Sequence, residues 1–165
     1  MKADDIEPAI LVLSKSWLDT YVNEDLGITR EWIEARNQMQ RNADKMEARR
    51  ERFKDANTAG WIARDEAGSI IGVTMPYRND EGVQHVGALY VDKNWHGKDV
   101  GGALMQKVID WFDPDDPIEL GVATYNGRAK AFYRKWGFKE VPNSESLFVG
   151  KIPEVRMIRE RHTNS

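Results

Sequence analysis

The sequence predicts an α/β (α+β) fold in which a mixed sheet is flanked by about four helices. Apolar residues recur at helical spacing early in the chain, whereas later segments are short β-type runs bounded by turn residues. Two of those runs, Val83–Val91 and Glu119–Thr124, are separated by a helical pattern, which predicts a parallel pair with a right-handed crossover. We therefore expect the strand direction in the sheet to be mixed.

Helical signals dominate the first third of the chain. Pro8 opens a pattern of apolar residues that continues to Tyr21 and stops at the polar segment Asn23–Gly27. Thr29 is placed to cap a second helix. The segment Arg36–Asp55 is dense in both charge signs and poor in aliphatic residues, which predicts one long solvated helix held by alternating ion pairs.

Strand signals follow from residue 60 onward. Gly60–Arg64 and Ile70–Tyr77 are predicted to form a hairpin across the turn Asp65–Ser69, and Val83–Val91 is the third predicted strand. A helix is then predicted for Gly101–Phe112, which a loop with two prolines ends.

The last part of the chain repeats the strand–helix order. After the strand Glu119–Thr124, Asn126 is placed to cap a helix and Gly137 to end it in the left-handed conformation. Two further strands are predicted within Phe138–Val149 and Glu154–Arg159.

Composition narrows the classes of function. The 165 residues predict a single domain spanning residues 1–165, and a net charge of −3 gives no basic face for nucleic acid. The chain has no cysteine, and its three histidines, at positions 85, 96 and 162, lack metal-ligand spacing, so we expect no metal. Neither a secretory signal nor a membrane span is recognised, which predicts a cytoplasmic protein.

A glycine-rich turn suggests a site for an anion. Gly97, Gly101 and Gly102 lie where a strand runs into a helix, whose first N–H groups have no internal partner. The spacing matches neither a Walker loop nor a dinucleotide fingerprint. Taken alone, the turn is also explained by a helix entry in which the glycines only allow the backbone conformation that the turn requires.

The same region resembles the GNAT family of N-acetyltransferases. The family signature Gln/Arg-x-x-Gly-x-Gly/Ala corresponds to His96–Gly101, where His96 replaces Gln/Arg and Asp99 replaces the first glycine. A second family pattern is intact at Asn126, Ala129, Phe132, Tyr133, Gly137 and Phe138. The resemblance covers Trp61 to Phe138, and the first helix is similar to that of small bacterial members, including polyamine acetyltransferase-like ones.

This resemblance implies a GNAT-like sheet, mostly antiparallel, with a central splayed parallel pair that holds acetyl-CoA as the co-substrate. The cofactor-binding residues it implies are Leu89, Tyr90, Val91, His96, Gly97, Lys98, Asp99, Val100, Gly101, Gly102 and Asn126. Asp99 conflicts with that role, because a carboxylate repels a pyrophosphate unless it points away or caps the helix. Asp nevertheless tolerates the left-handed backbone better than most residues.

Two residues are candidates for the chemistry. Tyr133 matches the family's acid toward the departing thiolate, although it also extends an apolar stripe at helical spacing. His85 stands where lysine-acetylating relatives carry a carboxylate base and can titrate in a useful range. An edge-strand histidine with no role is an equally good interpretation.

The acceptor side is less defined. The resemblance places Tyr21, Glu24 and Asp25 near the acceptor, where the two carboxylates could attract a cationic amine or simply form a solvated helix end. Without a cysteine or a suitable serine motif, the predicted reaction is direct attack by a small-molecule or peptide amine, without an acyl-enzyme. A non-catalytic acyl-CoA-binding or regulatory module remains the alternative, and the family makes a homodimer an open expectation.

Overall fold

The computed structural model describes residues 1–161. Its α-helices are α1 (Ile6–Tyr21), α2 (Arg30–Gln40), α3 (Ala43–Arg52), α4 (Val100–Trp111) and α5 (Gly127–Lys135). Its strands are β1 (Trp61–Arg64), β2 (Ile70–Arg78), β3 (Gln84–Val91), β4 (Ile118–Ala123), β5 (Lys139–Glu140), β6 (Ser146–Phe148) and β7 (Ile152–Arg159).

All seven strands form one sheet. Its order is β1-β2-β3-β4-β7-β5, and β6 pairs with β7 beside β5. Within the described residues the pair β3–β4 is parallel and the other strand pairs are antiparallel. The predicted fold class, a mostly antiparallel mixed sheet with a central parallel pair, is therefore confirmed.

The predicted long helix over Arg36–Asp55 is wrong. The chain breaks after α2, and the side chain of Asn42 caps α3 by accepting a hydrogen bond from the Lys45 backbone N–H at 2.9 Å. Arg49 then donates back to the Gln40 side-chain oxygen at 3.0 Å and stabilises the corner. A run of alternating charge conceals such a break, because both helices expose charged residues continuously.

The C-terminal strands also differ from the prediction. The segment Phe138–Val149 contains two short strands, β5 and β6, instead of one, and β7 begins at Ile152. Both short strands pair with β7: β6 forms a hairpin with it across the turn at residues 149–151, whereas β5 pairs with a part of β7 farther along the chain. The predicted end of α5 is confirmed, since Gly137 has φ +86°.

The sheet separates two layers of apolar packing. On one face α4 and α5 pack on a cluster that includes Met105, Val108, Leu120 and Met157. On the other face Trp17 of α1 packs with Ile28, Ile33 and Ile152. Side chains alternate along a strand, so neighbouring residues of β4 and β7 contribute to opposite faces. A site that connects the two layers must therefore pass through an opening between strands of the sheet.

Candidate active site

The sheet opens between its two parallel strands. β3 and β4 pair only at Gln84–Ile118 and His85–Glu119, after which they diverge. The cause is a bulge in β3, where Met75 of β2 faces both Gly87 and Ala88. Gly87 has φ +68°, and a Cβ there would lie 2.2 Å from the Met75 carbonyl oxygen, so only glycine fits. The predicted splay between these strands is present.

A cavity of about 650 Å³, called here the loop cleft, lies on the α4–α5 side of the splay. It is lined by Leu89, Val91, Trp95, His96, Gly97, Asp99, Val100, Gly101, Gly102, Arg128, Ala129, Ala131, Phe132, Tyr133, Lys135 and Trp136. One end of the loop cleft is therefore formed by the glycine-rich turn and the N-terminus of α4.

The turn before α4 exposes backbone donors. Gly97 and Asp99 both have positive φ, at 76° and 61°. The first α4 amide with a backbone partner is that of Ala103, which donates to the Asp99 carbonyl at 3.0 Å. Within residues 1–161 the amides of Val100, Gly101 and Gly102 have no such partner, as expected for the first turn of a helix. These donors suit an anion, and the helix dipole adds to the attraction.

The two charged residues of the turn behave differently from each other. Asp99 makes no capping bond and lies beside Gly102, where a Cβ would be 2.3 Å from its Oδ1 atom. Its carboxylate therefore stays at the loop cleft, close to the free amides. Lys98 lies over the Trp95 ring, with Nζ 4.5 Å from the ring centre, and does not itself line the cleft.

His96 connects the turn to β3 and α5. Arg128 donates a hydrogen bond to its Nδ1 atom. Because a guanidinium only donates, Nδ1 must accept, and the ring proton sits on Nε2. Nε2–H then donates to the Val91 carbonyl at 2.9 Å. His96 thus braces the turn against β3 and α5, and Arg128, which was not predicted from the sequence, supplies a positive charge at the loop cleft.

The end of β3 presents backbone groups to the splay. The Asp92 amide donates to the Ile71 carbonyl of β2 at 2.8 Å. Hydrogen-bonding directions alternate along a strand, so the amides of Leu89 and Val91 face the opposite side, toward the opening. Those two residues line both cavities of the site.

The second cavity, of about 690 Å³, is called here the sheet cavity and lies on the α1 side. It is lined by Ser16, Thr20, Tyr21, Tyr77, His85, Gly87, Leu89, Tyr90, Val91, His96, Glu119, Leu120, Gly121, Val122, Ala123, Asn126, Arg128, Ala129, Tyr133, Val141, Pro142, Asn143, Ser144, Ser146, Phe148, Ile152, Glu154 and Arg156. Residues shared with the loop cleft, Tyr133 among them, lie at the splay where the two spaces meet.

Tyr133 is buried on α5 at this junction. Its side chain belongs to the apolar cluster under α4 and α5, as expected if Tyr133 extends the apolar stripe of its helix. Among the described residues, every fully buried side-chain oxygen or nitrogen has a hydrogen-bond partner. The Tyr133 hydroxyl has no partner among these residues. It is therefore not fully buried and opens to the cavity. Burial raises the pKa of Tyr133 well above its ordinary value, so the hydroxyl keeps its proton at neutral pH.

His85 lies in the sheet cavity and stacks on the Tyr77 ring, with centroids 4.9 Å apart. Burial lowers the pKa of His85, while the nearby Glu119 carboxylate opposes that shift. A carboxylate shares this face, because Glu119 is the direct cross-strand neighbour of His85. The sequence concealed this pair, since the register between β3 and β4 is set by tertiary packing.

The predicted acceptor residues separate. Tyr21 lines the sheet cavity, and its hydroxyl lies 2.7 Å from that of Tyr90. Burial raises the pKa of Tyr21 to about 12. Glu24 and Asp25 are exposed in the turn after α1 and line neither cavity. Asn126 lines the sheet cavity and caps α5 by accepting from the Ala129 amide at 3.1 Å.

Besides Arg128, three charged residues of the sheet cavity were not predicted: Glu119, Glu154 and Arg156. In β4 and β7 these residues alternate with apolar residues, a pattern that predicts that they share one face of the sheet. Nothing in the sequence showed that this face borders a cavity. Within residues 1–161, no three His, Cys, Asp or Glu side chains form a group that could hold a metal ion. His162 lies outside those residues.

The fold and its split sheet define the class of protein. Residues 27–138 match the model of the acetyltransferase (GNAT) family. The chain belongs to this family.

A relative in Mycobacterium tuberculosis, described as an uncharacterized N-acetyltransferase, is 37% identical over 93 residues, which cover 54% of this chain. A Mycobacterium bovis protein of the same description matches equally. The match spans 58% of the length of these relatives.

Solved structures of low sequence identity share the fold. The PaiA N-acetyltransferase of Thermoplasma acidophilum, in complex with coenzyme A, has a TM-score of 0.77 at 19% identity, covering 97% of this chain and 95% of its own. A GNAT-family acetyltransferase of Streptococcus pneumoniae has a TM-score of 0.68 at 16% identity, covering 98% and 96%. Among the described residues no helix is long and apolar enough to cross a bilayer.

Proposed function

We propose that the protein is an acetyl-CoA-dependent N-acetyltransferase that moves an acetyl group to a primary amine by direct attack, without an acyl-enzyme. The observation that carries this proposal is the meeting of two cavities at the β3–β4 splay, with Tyr133 lining both. One space ends on free helix amides, and the other contains titratable side chains. A cofactor and an acceptor can therefore reach one point from opposite faces of the sheet.

The loop cleft fits acetyl-CoA. The free amides of Val100, Gly101 and Gly102 would hold its pyrophosphate, and the side chain of Arg128 would add a positive charge. The open amides of Leu89 and Val91 would pair with its pantetheine arm along the splay. When bound, acetyl-CoA supplies a thioester that an amine can attack. The CoA complex of the Thermoplasma acidophilum protein, which shares the fold, supports this assignment.

Tyr133 would hold its proton on Oη and donate a hydrogen bond to the leaving sulfur. Its pKa is raised by burial, whereas an ordinary thiol titrates at about 8.5, so complete proton transfer is strongly uphill. Hydrogen bonding to the developing thiolate is therefore the role that the environment favours. A backbone N–H near Val91 that the pantetheine arm does not engage would stabilise negative charge on the acyl oxygen.

His85 would take the proton from the acceptor ammonium. Since alkyl ammonium groups have a pKa of about 10.4, a base must assist their deprotonation near neutral pH. Burial lowers the pKa of His85, which keeps the ring neutral and able to accept a proton. Glu119 beside it would stabilise the imidazolium that forms.

The acceptor would be a small-molecule or peptide amine that enters the sheet cavity past Tyr21. Glu24 and Asp25, exposed near that helix end, would act only as distant attractors of a cation. Several expectations stay predictions: the likeness to polyamine acetyltransferases, the homodimer, the cytoplasmic location and the lack of nucleic-acid or membrane partners.

A thiol-release assay over a panel of amines tests the proposal, with calorimetric titration of CoA and dephospho-CoA alongside. We expect CoA binding and amine-dependent release of thiol. CoA binding without turnover of any amine would instead favour the non-catalytic acyl-CoA-binding module. Absence of binding at millimolar CoA would refute both.

A further inference from the structure

One carboxylate in the sheet cavity has no cationic partner among the described residues. Glu119 is paired with Arg156, whose Nη1 atom lies 3.3 Å from Oε1, and Arg128 is bonded to His96. Glu154 receives only a long hydrogen bond of 3.4 Å from the Ser146 hydroxyl. Burial raises the pKa of Glu154, as expected for a partly desolvated carboxylate without a cation.

Gly121 determines where this carboxylate lies. Glu154 on β7 is opposite Ala123 of β4, but its side chain leans along the strand. A Cβ at Gly121 would be only 2.5 Å from the Glu154 Oε2 atom. The missing side chain therefore leaves room for the carboxylate over the backbone of β4, inside the sheet cavity.

The carboxylate is also positioned relative to the candidate base. Gly121 follows Glu119, the neighbour of His85, by two residues along β4. Two residues of a strand span about 7 Å. An acceptor with one amine near His85 can therefore place a second group at Glu154 across a short alkyl chain.

We propose that Glu154 is a specificity-determining residue that binds a second positively charged group of the acceptor, held in place by the gap at Gly121. This inference rests on the proposed function and adds the class of acceptor, a short diamine rather than a monoamine. A cationic group supplies the partner that the described residues do not, and an ionic hydrogen bond in a partly desolvated site is worth more than one at the surface.

The experiment compares 1,4-diaminobutane with butylamine, which has the same carbon chain and one amine. In the wild type we expect a higher kcat/KM for the diamine. In Glu154→Gln this preference should fall by about tenfold or more, chiefly through the KM of the diamine. Glu145→Gln is the matched control, because Glu145 is exposed nearby, outside the cavity lining, and should leave the preference unchanged.

Gly121→Ala moves the carboxylate without removing its charge. The new methyl group meets the flexible end of Glu154, so the fold should tolerate it while the carboxylate is displaced. We expect a smaller loss of diamine preference than in Glu154→Gln, with unchanged CoA affinity by calorimetry. An unaltered preference in this variant would contradict the positioning role of Gly121.

The outcomes separate this inference from the proposed function. Turnover without diamine preference, or a preference that survives Glu154→Gln, would overturn the role of Glu154 and leave the acetyltransferase standing. An equal loss in Glu145→Gln would also overturn it, since general charge attraction would then suffice. If no amine is acetylated, calorimetry of 1,4-diaminobutane with the CoA-bound protein decides: binding that Glu154→Gln abolishes supports the site, and no binding refutes it.

Discussion

The loop cleft and the sheet cavity lie on opposite sides of one opening but are built in different ways. The loop cleft is formed mainly by β3, the turn after it and α5, whose key groups are backbone amides and a few contiguous side chains. The sheet cavity collects residues from α1 and α5, from the five strands β2, β3, β4, β6 and β7, and from the segment between β5 and β6. Backbone sites survive many substitutions, whereas a cavity of side chains can be altered residue by residue. We therefore expect variants of the two regions to affect different steps.

The largest effect is expected at the opening that both regions share. Gly87→Ala puts a methyl group against the Met75 carbonyl oxygen and forces a non-glycine residue to a φ of +68°. We expect the free energy of unfolding to fall by about 3 kcal/mol or more. CoA binding and activity should be lost as well. Urea denaturation with calorimetry of CoA measures both.

Gly82→Ala is the matched control for that variant. Gly82 has a similar φ of +82° but no atom within 4 Å of its added Cβ, so only the backbone strain of about 1–2 kcal/mol applies. Equal destabilisation by the two changes would show that the close approach at the bulge does not matter.

At the junction, Tyr133→Phe removes one hydroxyl and keeps the ring packed. We expect kcat to fall by about ten- to a thousandfold, because the leaving sulfur loses its hydrogen-bond donor. CoA affinity, a property of the loop cleft, should change little. Turnover assays and calorimetry of CoA binding on the same preparation test this prediction. Unchanged turnover would mean that Tyr133 contributes only to apolar packing.

On the sheet-cavity side, His85 should shape the pH profile. A general base works when neutral, so kcat/KM should rise with pH, and because burial lowers the pKa of His85 the inflection should lie below about 6.5. His85→Ala should abolish that inflection and leave the slope set by the amine itself. Steady-state rates from pH 5 to about 9 measure it. A profile that the substitution leaves intact would assign the base elsewhere.

The smallest effect is expected in the loop cleft. Asp99→Asn removes the charge and keeps a residue that tolerates the left-handed backbone. CoA affinity should rise by about two- to tenfold, since a carboxylate beside the free amides repels the pyrophosphate. Asp99→Gly should tighten binding likewise. Calorimetry at low and high salt checks the electrostatic origin, and identical affinities in all three proteins would show that the carboxylate faces away.

The two regions also differ in how well the sequence foretold them. Most of the predicted cofactor-binding residues line the loop cleft, because they are neighbours in the chain and glycines mark them, but Tyr90, Lys98 and Asn126 do not. Arg128, whose contact with His96 depends on the packing of α5 against the turn, was missed. On the acceptor side Tyr21 was placed at the cavity, but Glu119, Glu154 and Arg156 were not recognised.

The sequence by itself determined most of the order of the elements, the parallel pair and the glycine-rich turn before α4, since these follow from local periodicity, capping residues and glycines. Only the tertiary structure decided the pairing of β5 with β7 and the contents of the sheet cavity. Strand register brings His85 beside Glu119, and Glu154 over Gly121, across long stretches of chain. Such proximity arises from packing between distant segments, which no local pattern encodes.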